Sequence, residues 1–478
     1  MKTPEYYLAI DQGGHASRAI VFDQHANIIC QSECNIDTQT PKPDWVEHDP
    51  EQLISATFQA IQASLQALGA NKQYIKAAGL ATQRSSIACW NSNSGAALSP
   101  IISWQDRRQA EWLQQFEDSS RIIHNKTGLF LSPHYGASKM RWCLDNISAV
   151  KQAQLNNQLI IGPMASFLAY HLIRQRPLLA DPANASRTLL WNIKTQDWDE
   201  KLLKLFGINK DILPPCQPSS GNFGHLAIDE IDIPVTVITG DQSAALFAWG
   251  RPRPQTAYLN IGTGAFIQRP LTEMQTSEKL LSSLAYKDET YDCYSLESTI
   301  NGAARALQWF AQQHAIEDIE MQVEDCLTNP TTPPLFINTI AGLGSPDWQA
   351  QIKPQFIGDG DINAKLMAVI ESISFLIQRN HDEMEKAISK PSDIIISGGL
   401  SKLDGLCQQI ADLSGIKLIR PQDHEATATG LAYLLATLPL LWPGFKNTKT
   451  FTAGDNQAIK QRYQQWSIAL DKIIADKT

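Results

Sequence analysis

No stretch of this chain is apolar for the length that a membrane-spanning helix needs. The start, Met1-Lys2-Thr3-Pro4-Glu5, lacks the apolar region of a signal peptide. A basic excess is missing too, since 40 Lys and Arg face 49 Asp and Glu for a formal net charge of -9. That balance argues against nucleic acid or an anionic membrane as partner. The eight cysteines form no CxxC pair and no Cys/His ligand cluster, and Cys30 and Cys34 are the closest two. Buried reduced thiols, and with them a cytoplasmic protein, are the expectation. Low-complexity tracts and short repeats are absent. What remains is 43% hydrophobic and 19% charged over 478 residues, a globular composition too long for one ordinary core.

The stretch with most chemistry is Ile233-Pro234-Val235-Thr236-Val237-Ile238-Thr239-Gly240-Asp241-Gln242-Ser243-Ala244. Its β-branched run predicts a strand ending at Gly240, followed by a small-residue helix. Asp241 then stands at a strand's carboxyl end, where open α/β sheets keep their ligand crevices. Gln242 adds an amide that donates and accepts. Asp241 reads as a general base for a substrate hydroxyl. Capping the helix is the plainer role for an Asp in that place.

A second pattern occurs twice. Tyr6 to Ile10 and Arg18 to Asp23 predict strands around Asp11-Gln12-Gly13-Gly14-His15. Thr256 to Ile261 and Ala265 to Gln268 do the same around Gly262-Thr263-Gly264. Glycine-rich turns between strands can wrap phosphate oxygens in backbone N–H groups, and the carboxylate of Asp11 can hold a hydrated Mg²⁺ nearby. Twin halves about a shared cleft follow, divided near the linker Arg251-Pro252-Arg253-Pro254. The expected domains are 1–249 and 250–445, with 446–478 a peripheral helical tail. Asp49-Pro50-Glu51 opens a capped helix that Gly69 ends. Ala364 to about Ser389 predicts a long helix, and Asp393 to Ser397 a buried strand turning at Gly398-Gly399. Glycines there let a flat ligand such as adenine lie on backbone, or simply let strand and helix pack closely. Ile101 to Arg108 predicts the start of a donor-rich helix, and Asp181 to Arg187 a polar loop. Arg84 and Trp104 offer hydrogen bonds and a stacking face to a polyhydroxy substrate, or an ion pair and a core ring.

Taken together, these segments resemble the FGGY family of carbohydrate kinases over nearly the whole chain, and its glycerol-phosphorylating branch most closely. The matching segments include Asp11-Gln12-Gly13, Ser17 to Asp23, Gln83-Arg84 and Trp104-Gln105-Asp106-Arg107-Arg108. Further along are Asp181 to Thr188, Gly240-Asp241-Gln242, Gly262-Thr263-Gly264, Gly342-Leu343-Gly344-Ser345-Pro346 and Gly398-Gly399. The resemblance implies an α/β fold of two ribonuclease-H-like (actin/hexokinase-type ATPase) domains around a central cleft. It implies ATP and Mg²⁺ as cofactors and a small polyol or sugar as acceptor, with a homo-oligomer compatible. Asp241 becomes the base, and Asp11 the residue at the metal. Arg84, Ser85, Trp104, His134, Tyr135, Asp241 and Gln242 fall in the acceptor site. Gln12, Gly13, Gly14, His15, Arg18, Gly262, Thr263, Gly302, Gly398 and Gly399 fall in the nucleotide site.

Departures from the family pattern cluster in these sites. Glycerol-phosphorylating members carry Gln-Arg-Glu where this chain has Gln83-Arg84-Ser85, and Tyr where His134 falls by its spacing from Lys139. The smaller Ser85 leaves room for a longer acceptor, so a tetritol, pentitol or ketopentose is as plausible as glycerol. The first turn reads Gly13-Gly14-His15-Ala16-Ser17 in place of Gly-Thr-Thr-Ser-Ser. Two hydroxyls are lost, and the N–H groups of Gly14 and His15 remain. Gly302 and Leu403 also fit the family's adenine pattern imperfectly. The leading expectation is an ATP-dependent kinase; the alternative is a catalytically degraded relative that senses sugar or nucleotide.

Overall fold

The computed structural model describes residues 4–228, 231–328, 332–422, 425–437, 439 and 448–476. Met1-Lys2-Thr3 and the boundary drawn between 445 and 446 lie outside the described residues. The apolar runs of the first half form β1 (Tyr6–Gln12), β2 (Ala16–Asp23), β3 (Ile28–Asn35), β4 (Ile75–Thr82) and β5 (Val235–Gly240), with helix α1 (Pro50–Leu68) after β3. These strands make one sheet in the order β5-β4-β1-β2-β3. The hairpin strands β1, β2 and β3 pair antiparallel, while β4 runs parallel to both β1 and β5. The register sets Gln12 and Gly240 both opposite Thr82. Three strand ends therefore meet at one carboxyl edge. In α1, Asp49 accepts from the backbone N–H groups of Glu51 and Gln52, and Pro50 opens the first turn. Its buried Leu53, Ile61 and Leu65 face the sheet, and Gly69, at φ 62°, ends it.

Helix α2 (Asp241–Ala245) leaves β5 directly. The second half adds β6 (Thr256–Ile261), β7 (Ala265–Leu271), β8 (Leu281–Lys287), β9 (Asp292–Ile300), α3 (Ala304–His314), α4 (Ile362–Ala387), β10 (Asp393–Ser397), α5 (Asp404–Ser414), β11 (Lys417–Pro421), α6 (Ala426–Leu435), β12 (Thr448–Phe451) and α7 (Gln457–Ala475). The second sheet has the order β8-β9-β7-β6-β10-β11-β12. A four-stranded sheet of Glu47–His48, Ile101–Ile102, Ile87–Asn91 and Leu159–Pro163 flanks the first. The β8–β9 hairpin belongs to the second sheet yet packs into the first half. Leu281 and Leu284 share a core with Ile87, Tyr135 and Trp191, while Tyr286 and Cys293 join Val237 and Phe247.

Four expectations are corrected. The tail is not peripheral: β12 extends the second sheet, and Trp466 and Leu470 are fully buried in its core. The Trp466 indole also donates to Phe336 O at 2.8 Å. Charged residues spaced along α7 mask an apolar face that only the folded partner reveals. The segment 181–187 is no polar surface loop. It is a buried helical turn, capped by Asp181 on Asn184 N, with Arg187 also buried. Ile101–Ile102 is a strand, and helix begins only at Ala110, because Ile102 is drawn into pairing with Glu47 and Ile87. All eight cysteines are free, but Cys30, Cys34 and Cys216 are only half-buried.

Candidate active site

The shared edge of β1, β4 and β5 brings Asp11, Arg84 and Asp241 together. Asp11 is the next-to-last residue of β1 and is buried. Burial first, then the Asp241 charge, pushes its pKa up to about 7, against the pull of Arg18. Asp241 is the first residue of α2 and does not cap it; Gly240 holds the capping position without a side-chain bond. One Asp241 carboxylate oxygen accepts from the Gln242 N–H at 2.6 Å. Burial raises the Asp241 pKa, while Arg84, the Gln242 N–H and Arg187 hold it back. The result is a half-buried carboxylate of enhanced basicity, with two guanidiniums close by.

Gly240 explains how Arg84 comes so near. A Cβ at position 240 would stand 2.5 Å from both Cγ and Cδ of Arg84, so the arginine stem lies where a side chain would be. Gly430 works similarly between the two halves: its Cβ would lie 1.8 Å from Ala244 O, so only glycine lets α6 approach α2. That approach sets Thr427 Oγ1 3.4 Å from Asp241 O.

The other acceptor-side residues form one hydrogen-bonded wall. Lys139 is buried and donates to Ser85 O at 3.0 Å and to His134 O. Burial lowers its pKa to about 7. Ser85 sits at φ 67°, a left-handed conformation that costs a non-glycine about 1–3 kcal/mol and clusters at functional sites. His134 Nδ1 donates to Trp104 O at 3.0 Å, and its Nε2 accepts from Arg107 at 3.5 Å. Burial drives the His134 pKa down to about 4, so the ring is neutral. Trp104 is 38% exposed, its ring tilted 38° to that of His134 with centroids 6.2 Å apart. Tyr135 is buried beside Arg84 and Arg187.

Nucleotide-side expectations fare unevenly. Gly13 N donates to Ala16 O at 3.0 Å, closing the first turn, and His15 is exposed beside it. Gln12 does not point to a ligand. Its side chain is buried and accepts from Ser17 Oγ at 2.5 Å and Thr57 Oγ1 at 3.0 Å, a structural use. Arg18 binds Glu33 at 2.7 Å and Glu425 at 3.2 Å, tying β2 to the start of α6. Gly262 and Thr263 are held by Ala304 N and Arg305 N, each at 3.1 Å to their carbonyls. Gly398, at φ 93°, abuts Ile261 O, where a Cβ would stand at 2.5 Å, so it joins the end of β6. Gly399 has nothing within 4 Å of its would-be Cβ and is open to a ligand. Gly302 is a packing glycine, with Asn338 Oδ1 2.5 Å from the Cβ it lacks.

Two residues of the site carry no local signal as site residues. Glu297 on β9 is buried, with Arg187 Nη2 donating to Oε2 and Ser283 Oγ to Oε1. Burial works to raise its pKa, but Arg187 and Arg84 outweigh it and hold it down at about 2. Its strand, Asp292–Ile300, also carries Asp292, Ser295, Ser298 and Thr299, so nothing in the local sequence marks Glu297 out. Arg187 stands in a motif whose burial shows only in three dimensions. A cavity of about 430 Å³ at the start of α1, lined by His48, Asp49 and Ala97 among others, contains none of these residues. No helix among the described residues is long and apolar enough to cross a membrane.

Comparison with known proteins gives the family. The family model of the FGGY carbohydrate kinase N-terminal domain matches residues 6–248, and that of the C-terminal domain matches 257–438. A glycerol kinase of Shewanella frigidimarina is 32% identical over 470 residues, covering 96% of this chain and 94% of its own. In fold, the chain is similar to Plasmodium falciparum glycerol kinase solved with ADP, with a TM-score of 0.90, 24% identity and 98% of each chain covered. A xylulose kinase from Rhodospirillum rubrum has a TM-score of 0.87 at 15% identity, covering 98% of this chain and 99% of its own. With both domain models matched in order along the chain, it belongs to the FGGY family of carbohydrate kinases and is an ATP-dependent phosphotransferase of that two-domain α/β fold.

Proposed function

We propose that this kinase transfers the terminal phosphoryl group of ATP to a hydroxyl of a small polyol or sugar, with Asp241 as general base. One observation carries the reading: parallel register delivers Asp11 and Asp241 to one strand edge, close enough for the charge of one to raise the pKa of the other. Asp241, made more basic by burial, accepts the proton of the acceptor hydroxyl as its oxygen attacks phosphorus. Arg84 and the Gln242 amide orient that hydroxyl, and the Trp104 face and Tyr135 confine the carbon chain. The open turn at Gly13-Gly14-His15 and the tied turn at Gly262-Thr263 receive phosphates through backbone, and the gap at Gly399 receives the base. Gln12 is left out of that set because its side chain is spent.

Asp11 fits a magnesium ion. A carboxylate whose pKa burial, and after it the charge of Asp241, push up to about 7 is a group that a dication stabilises, and Mg²⁺ commonly takes one or two protein carboxylates plus water and phosphate. When bound, it supplies charge neutralisation to the transferring phosphate. The chain's own residues supply positioning and water exclusion between the two sheets, the main needs of phosphoryl transfer.

Nothing in the site favours a sensor without turnover, since base, arginines and Asp11 are all in place. The test is coupled ADP release over glycerol, tetritols, pentitols and ketopentoses, with Asp241→Asn as control. Acceptor-dependent release that the variant loses supports the reading. Release that ignores acceptor or Asp241, or no release across the panel, overturns it.

A further inference from the structure

Glu297 lies on β9, a strand of the second sheet, yet its buried carboxylate meets Arg84 and Arg187 of the first half as well as Ser283 and Gln268 of its own. Both of its oxygens are engaged. Arg187 Nη2 donates to Oε2, Ser283 Oγ donates to Oε1, and Gln268 Nε2 reaches Oε1 at 3.5 Å. Arg84 Nη1 lies 3.7 Å from Oε1, near enough for ion pairing and too far for a hydrogen bond. That Nη1 is buried and has no hydrogen-bond partner among the described residues. An arginine held by charge, with an N–H left unspent, is poised to donate to something else.

The alternative partners for Arg84 are few. Its stem is locked in the space above Gly240, and the charged or titratable groups that act on it most strongly are Arg187, Glu297, Asp241 and Tyr135. Arg187 repels it. Without Glu297, the carboxylate left to draw Arg84 is Asp241, and an Arg84–Asp241 pair would tie up both the donor and the base.

We infer that Glu297 is a positioning residue for the acceptor site: supplied by the second sheet, it holds Arg84 and Arg187 off Asp241 and leaves the Arg84 N–H free for an acceptor oxygen. The inference rests on the kinase reading above and deepens it. The acceptor site is incomplete without the β8–β9 hairpin. Acceptor recognition thus depends on how the two halves sit together, through a buried charge that local sequence does not announce. Because Glu297 touches the arginines and not the glycine turns, its loss falls on the acceptor and spares the nucleotide.

The experiment uses steady-state kinetics of the full chain with whichever acceptor the wild type turns over. Glu297→Gln keeps shape and removes charge. It is expected to lower kcat/KM for the acceptor at least thirtyfold while KM for ATP stays within twofold. Glu297→Asp, which restores charge on a shorter arm, should recover at least a third of the loss on a logarithmic scale. Ser283→Ala, which frees one oxygen of Glu297 without removing the acid, should change acceptor KM two- to fivefold and fold normally. If Glu297→Gln does not fold, the Ser283→Ala and Glu297→Asp results decide. Equal losses for acceptor and ATP, no recovery in Glu297→Asp, or an unmoved acceptor KM in Ser283→Ala would overturn the inference while wild-type turnover still supports the kinase reading. Absence of wild-type turnover would overturn both.

Discussion

In the N-terminal half, β1 ends on Asp11 and Gln12 before its turn; in the C-terminal half, β6 ends on Asn260 and Ile261 before Gly262-Thr263-Gly264. The first turn is roomy, and a Cβ at Gly14 would meet nothing nearer than Gln83 Oε1 at 3.8 Å. The second is tight, with Ile300 O 2.6 Å from the Cβ that Gly264 lacks, and its carbonyls are bound by the first N–H groups of the α3 region. One strand–turn–strand plan thus serves two tasks. The N-terminal copy carries the acid and leaves its backbone open; the C-terminal copy is a fixed backbone ledge without a carboxylate. The proposed chemistry draws on side chains of the N-terminal half, and the acid inferred to position them, Glu297, comes from the C-terminal half.

Substitutions can break this contrast, and the largest effect belongs to the base. Asp241→Asn should cut kcat by roughly a thousandfold or more, with acceptor affinity changed less than about tenfold, measured by ADP release and by calorimetric titration. Lost binding with intact kcat would place Asp241 in recognition alone. Next come the two turns. Gly264→Ala forces a methyl against Ile300 O and should destabilise folding by about 1–3 kcal/mol in denaturant melts, whereas Gly14→Ala should fall within about 0.5 kcal/mol of wild type. Equal costs would erase the contrast between tight and roomy turns.

A smaller effect concerns the acceptor wall. Ser85→Glu with His134→Tyr should shift the kcat/KM ratio toward glycerol over longer polyols by about tenfold, the size expected for one matched polar contact. An unchanged profile would remove those positions from specificity. The smallest is a pH effect. Glu297 has a folded pKa of about 2, below its ordinary 4.5, so its stabilising contribution is complete above pH 4.5 and is lost as pH falls from 4.5 to 2. Urea unfolding of Glu297→Gln should show a shallower stability loss over that window than wild type. Parallel curves would mean that the Arg187–Glu297 pair is not held as described.

Much of this was legible in sequence because it is local. Strand, glycine turn and strand are short-range patterns, and Asp241 stands one residue past a β-branched run. The wall of Ser85, Trp104, His134 and Tyr135 was legible, but Lys139, which donates to both the Ser85 and His134 carbonyls, served only as the spacing anchor for His134, since a buried lysine has no pattern of its own. Gln12 falls in the nucleotide site by the family resemblance; only packing against Ser17 and Thr57 shows its amide oxygen already used. Glu297 reaches Arg187 across 110 residues of chain, and no spacing rule spans that distance. The tail misled because charged residues are spread among its apolar ones, while Trp466 needed Phe336 beside it to read as core.

The central claim is that Asp241 faces the acceptor hydroxyl across from the nucleotide turns. A crystal structure with bound acceptor and a non-hydrolysable ATP analogue tests it most directly. The account predicts an acceptor oxygen within hydrogen-bond reach of an Asp241 carboxylate oxygen, about 2.6–3.2 Å, and pointing at the terminal phosphate. An acceptor seated elsewhere, or an Asp241 turned to solvent or locked on Arg84 in that complex, would contradict it.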